Sequence, residues 1–313
     1  MVEAWYPHSV STAEARLRYY AERFDTVEAD SPFYGIPALS TTERWAVRTP
    51  DGFTFHVKAY GLMTGHTVDE RSLPPELRDG GYRVSARGRV FDPDESVLEG
   101  SFSAFAAAME PLRTAGKLGG VLMQYPPTMR ALDDSEELAG LDRIARDRAL
   151  LGGDRMLVEF RHASWVADPA RRERVMRFLA DLGAAFVCVD APRLDEANAM
   201  PPVTAVTAPV AYVRFHGRNA ATWGLRGGSA ADRFDYLYES TELEEWAAPI
   251  KSLAEDADST FAMFNNCRYD YAPRNAQELA AIIGDDARRA DGTLPGEAEE
   301  PQGPRQGELQ LDG

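Results

Sequence analysis

The chain has 313 residues, 44% of them hydrophobic, two cysteines and a formal net charge of −16. That length buries a large core without disulfides, and no CxxC or Cys/His zinc spacing occurs. Strong acidity disfavours non-specific nucleic-acid binding, while the lack of a long apolar run or a signal-peptide pattern gives the expectation of a cytoplasmic protein with no membrane association.

In chain order, residues 11–23 read as a helix, capped by Ser11-Thr12 before Glu14, with Leu17, Tyr20 and Phe24 on one side. Strands are expected at 26–30 and 53–60. The stretch 61–95 is rich in Gly, Pro and charge, and reads as a functional or mobile loop near the mouth of the fold. A helix over 97–115 carries Phe102, Phe105, Met109 and Leu112 on one stripe. Strands at 118–125, 156–162, 185–190, 210–217 and 259–266 then follow, with helices at 135–150, 169–182, 241–256 and 273–283. Near-continuous apolar strands separated by helices predict a parallel sheet covered on both faces. The expected fold is an α/β, TIM-type (β/α) barrel over residues 1–284. Residues 285–313, with eight acids and three arginines, read as a disordered acidic tail. Seven strands are visible where a closed barrel needs eight, so either the sheet is open or the chain lacks the first strand.

Polar residues gather at the strand ends. Glu28, Lys58, Gln124, Glu159, Arg161, Asp190, Arg214, His216 and Asn265 all follow apolar starts. In a barrel these positions form the C-terminal rim, where catalytic groups collect. Glu159, Asp190 and His216 are the candidate acid/base groups. Lys58, Arg161 and Arg214 suit an anionic ligand such as phosphate or carboxylate, and the same charges would also suit a structural ion-pair network. His162 suits the rim or the layer around it, and His66 a loop that reaches the mouth. Trp165, Trp223, Tyr34 and Tyr125 lie just beyond strand ends, where they could stack on a ring or simply pack. No Walker, GxGxxG, GxSxG or HExxH pattern occurs, so no cofactor is named and no metal ligands are assigned.

The pieces WYP (5–7), TVEADSPFYGIP (26–37), TPDGFTFHVKAYGLMTGH (49–66), LGGVLMQYPP (118–127), VEFRHASW (158–165), VCVDAP (187–192), YVRFHGR (212–218) and FNN (264–266) together resemble the domain of unknown function 72 family, also called YecE-like proteins. The resemblance spans about residues 5–283. It implies a TIM-type barrel and places Glu28, Tyr34, Lys58, His66, Gln124, Glu159, Arg161, His162, Trp165, Asp190, Arg214, His216, Arg218, Trp223 and Asn265 at the family's motif positions. It supplies no substrate. Asp30 stands where the family has asparagine, and the family's opening strand is missing, which leads to the expectation of a truncated or late-annotated start. The functional expectation is an enzyme using acid–base chemistry on a small polar, anionic substrate. A metal-dependent phosphoesterase or nucleic-acid-processing barrel and a non-catalytic ligand-binding protein are the alternatives.

Overall fold

The computed structural model describes residues 5–194, 197–223, 232, 234–287, 289 and 293–296. Seven parallel strands form one curved sheet: β1 (Thr26–Ala29), β2 (Thr54–Lys58), β6 (Leu118–Gln124), β7 (Met156–Glu159), β8 (Ala185–Asp190), β9 (Val210–Phe215) and β10 (Ser259–Phe264), hydrogen-bonded in that order. Helices wrap the outside, giving a nearly closed TIM-type barrel. β8 and β9 are buried along their whole length, as expected of strands covered on both faces. All seven expected strands are present, and Arg161, His216 and Asn265 lie just past the ends of theirs. Among the described residues no strand pairs β1 with β10. A cavity of about 700 Å³, lined by Thr26, Thr260, Phe261, Leu279 and Ile283 among others, lies between these two edges.

Helix starts follow from side-chain caps. Asp94, Asp133 and Asp168 each accept a hydrogen bond from the backbone N–H three residues on, at 2.8–2.9 Å. The structure adds a helix, Leu39–Arg48, that the apolar pattern does not announce. Its fully buried residues are Thr42 and Ala46, and Trp45 beside them packs on the core, stacked on Phe55. Thr42 donates to the Ala108 carbonyl at 2.7 Å, and this polar contact docks the helix on Glu95–Thr114.

The 61–95 stretch also has regular structure. Val68–Asp69 (β3), Arg83–Val84 (β4) and Arg89–Phe91 (β5) make a small antiparallel sheet in the order β3-β5-β4. Val68, Leu73 and Val90 anchor it in the core. Within 285–313, Arg289 donates to Asp25 and to the Glu22 carbonyl, and the Gly296 N–H donates to the Arg23 carbonyl. The described part of that segment therefore rests on the end of the first helix. Residues 297–313 lie outside the described residues. No helix among the described residues is long and apolar enough to cross a membrane.

Candidate active site at the C-terminal mouth of the barrel

Strand register decides which side chains meet. Gln124 lies beside Glu159, and Glu28 beside His56, across neighbouring parallel strands. Side chains two apart share a face, so Lys58 points the same way as His56 and Glu28. The same alternation turns Tyr212, Arg214 and His216 inward together.

Arg214 is the centre of the group. Its wholly buried guanidinium spans two carboxylates, Glu28 and Glu159, in charge-assisted pairs. Its Nε donates to Glu28 at 2.9 Å, and the Tyr212 hydroxyl donates to the same carboxylate at 2.9 Å. Glu159 also accepts from Gln124 at 2.8 Å and from Arg161 at 3.2 Å, and it lies 3.0 Å from His216 Nε2. Asn265 Nδ2 lies 3.0 Å from His216 Nδ1. With Asn265 donating there, the neutral imidazole carries its proton on Nε2, aimed at Glu159, with the Arg161 guanidinium 3.2 Å from the same nitrogen.

These surroundings push the two carboxylates apart. Burial opposes ionisation of Glu159, but Arg214, His216 and Arg161 outweigh it and hold that carboxyl well below the usual carboxylate range. Burial raises Glu28 in spite of Arg214, and Asp30 adds to the rise. Burial drives His216 down to about 3. Two neighbouring carboxyls with divergent proton affinities are the usual groundwork for dividing acid and base roles.

Cations surround this core. Arg161 lies over the Trp223 ring at 5.1 Å and Lys58 over the Phe33 ring at 4.4 Å. His66 packs edge-on to Phe33 and shares a 2.9 Å hydrogen bond with Thr64. Its pKa falls to about 4, chiefly through burial and then through the charges of Lys58, Arg161 and Arg143. Lys58, His66, Arg143 and Arg161 thus share one electrostatic neighbourhood. The Trp223 indole N–H is buried with no acceptor among the described residues. Tyr34 follows β1 and is 65% exposed, edge-on to Phe33.

Four expected site residues lie elsewhere. Asp190 is in register with Phe215, which packs outward against Trp246, so Asp190 faces the helix layer. There it accepts from Arg218, Tyr238 and Trp246 at 2.7–3.2 Å. Arg218 accordingly binds Asp190 and Glu245 and stays outside the cluster. The link to the site is indirect. The Gly217 N–H donates to the Tyr238 hydroxyl at 2.8 Å, which fixes the backbone beside His216. Gly217 has φ +87°, and a Cβ there would meet the Tyr236 Cβ at 2.7 Å, so glycine is required. His162 caps a 3-10 turn through Ser164 at 3.2 Å. Trp165 is fully buried, stacked on Phe160, with its N–H on the Met129 carbonyl at 2.9 Å.

Sequence reasoning missed Tyr212, Phe33 and Arg143. Tyr212 was findable, since it stands two residues before Arg214 on the same face. Arg143 was not, because it reaches the Met63 carbonyl from a helix eighty residues away in sequence, at 3.1 Å.

Three comparisons bear on this arrangement. The profile of the family described as "Protein of unknown function DUF72" matches residues 1–301. The UPF0759 protein YunF of Bacillus subtilis (strain 168) is 29% identical over 277 residues, covering 87% of this chain and 88% of that protein. A crystal structure of a DUF72 family protein from Enterococcus faecalis superposes with a TM-score of 0.69 at 25% identity, over 85% of this chain and 87% of that one. One from Thermotoga maritima gives 0.65 at 27% identity, over 88% and 90%.

Proposed function

The chain belongs to the DUF72 family of proteins of unknown function, and we propose that its barrel is an enzyme that binds a small polar anion at the C-terminal mouth and acts on it by acid–base chemistry. The observation that carries this reading is the buried Glu159–His216 pair beneath a rim of cationic or depressed basic groups, Lys58, Arg161, Arg143 and His66. Their field favours a phosphate or carboxylate, with Arg161 the group suited to bidentate contact. Glu159, held ionised, is the candidate base. His216, neutral, donates or relays a proton at Nε2. Glu28, Tyr212 and Arg214 fix their orientation. Asp190 serves by holding the loop after His216. A metal-dependent reading would need a ligand set, and among the described residues no three His, Cys, Asp or Glu side chains group in that way.

Thermal unfolding with inorganic phosphate and small carboxylates, against chloride at matched ionic strength, tests the site. A ligand at about 100 times its dissociation constant stabilises by about 2.7 kcal/mol. The expected result is a rise in midpoint that Arg161→Ala abolishes. No rise with any anion in the panel would overturn the reading. Turnover of phosphate esters or hydroxy acids, lost in Glu159→Gln, would then separate an enzyme from a binding protein.

A further inference from the structure

We propose that Lys58 is an imine-forming lysine, acting on a carbonyl compound that also bears a carboxylate or phosphate. This rests on the reading of the mouth as an anion site and narrows its substrate class.

The chain has only three lysines among 34 basic residues: Lys58, Lys117 and Lys251. Two are buried, and they differ in kind. Lys117 Nζ donates to the Ala46 and Thr49 carbonyls and to the Thr49 hydroxyl at 2.6–3.2 Å, so its ammonium is fully satisfied. Lys58 Nζ has no hydrogen bond among the described residues. Its nearest carboxylate oxygen is Asp30 Oδ1 at 3.8 Å, and that oxygen is buried without a hydrogen-bond partner of its own. One face of the ammonium rests on the Phe33 ring, and the side chain is only 14% exposed. A purely electrostatic role would suit arginine, which this sequence uses freely elsewhere. Desolvation is what turns a lysine into a nucleophile, and burial lowers this amine's proton affinity, outweighing the opposing charges of Asp30, Glu159 and Glu28, with Arg214 adding to the effect.

The step balances with groups already present. Asp30 takes a proton from the ammonium, and the Nζ lone pair attacks the carbonyl carbon. The C–O π pair moves to oxygen, which takes up a proton from nitrogen to give a carbinolamine. Asp30 returns its proton to the hydroxyl, the C–O bond breaks and water leaves. A protonated imine remains, so the positive charge of the ammonium is conserved. Arg161 and His66, in the same electrostatic neighbourhood, would hold the substrate's anionic group.

The test is reductive trapping on the full chain. Glyoxylate and pyridoxal phosphate are each added with cyanoborohydride, and peptides are mapped by mass spectrometry. Lys251, 48% exposed, is the internal control. The expected result is labelling of Lys58 in preference to Lys251, although Lys251 is the more exposed amine, because only Lys58 is desolvated against an aromatic ring. Excess phosphate suppresses it, and Lys58→Arg loses it. Labelling confined to Lys251, or no labelling, overturns the imine. If phosphate still raises the midpoint in that case, the anion site stands and only the imine fails. If it does not, both fail.

Discussion

His216 Nε2 sits 3.0 Å from Glu159 Oε1 at the centre of the barrel, both side chains wholly buried, and that burial, which outweighs the pull of the carboxylate, sets a pH dependence for folding. Burial holds His216, and also His56 lower in the barrel, down to about 3. The unfolded chain protonates both below their ordinary value near 6.5, while the folded chain leaves them neutral. Their contribution is therefore complete above about 6.5 and is lost as pH falls toward 3, on the order of a few kcal/mol for each histidine. His56→Phe keeps the ring contacts with Tyr212 and Phe261 and removes one titration. Denaturant unfolding across that window should show a shallower acid loss in the variant; an unchanged slope would count against it.

Arg214 should be the costliest side chain in the site to remove. Arg214→Met leaves Glu28 and Glu159 buried without their shared cation, a loss of about 3–5 kcal/mol. Combining it with Glu28→Gln should recover part of that loss, because one uncompensated charge is gone. Equilibrium unfolding of the single and double variants checks the sign of the coupling. Simple additivity would mean that the two charges do not interact.

Asp190→Asn should lower stability and spare anion binding. The carboxylate accepts from Arg218, Tyr238 and Trp246, so weakening it costs about 1–3 kcal/mol. Because the group faces the helices, phosphate affinity measured calorimetrically should stay within about a factor of three, or less than 1 kcal/mol. A collapse of affinity in a variant that remains folded would move Asp190 into the binding machinery.

Gly140→Ala should destabilise, against the usual gain of about 1 kcal/mol for that exchange in a helix. An added Cβ would lie 2.4 Å from the Trp165 ring, which is stacked on Phe160 and has no room to retreat. Overpacking of this kind costs about 1–3 kcal/mol. A rise in the unfolding midpoint would show that the indole can move. Gly140→Ala with Trp165→Phe should recover most of the loss.

The strands were legible because each is an apolar run closed by a polar residue. Glu159, Arg161, Arg214 and His216 were legible as a group because alternation two apart fixes a shared face. Asp190 was not, since Ala185–Val189 is apolar on both faces and gives no parity to read. Trp165 and Arg218 follow strands just as Trp223 does, yet one fills the space over Gly140 and the other serves the helix layer. The helix Leu39–Arg48 docks through one threonine hydroxyl and one tryptophan ring, too few anchors in a polar stretch to mark it in the sequence.

The sequence by itself determined the alternation of strands and helices, the parallel sheet and the band of polar groups at one end of it. Those features are local, following from side-chain period, capping and the apolar content of each run. Only the tertiary structure decided which polar groups share a space: that Arg214 joins Glu28 to Glu159, that Arg143 arrives from a distant helix and that Asp190 turns outward. Curvature and register bring together residues far apart in the chain, and no local pattern encodes those distances.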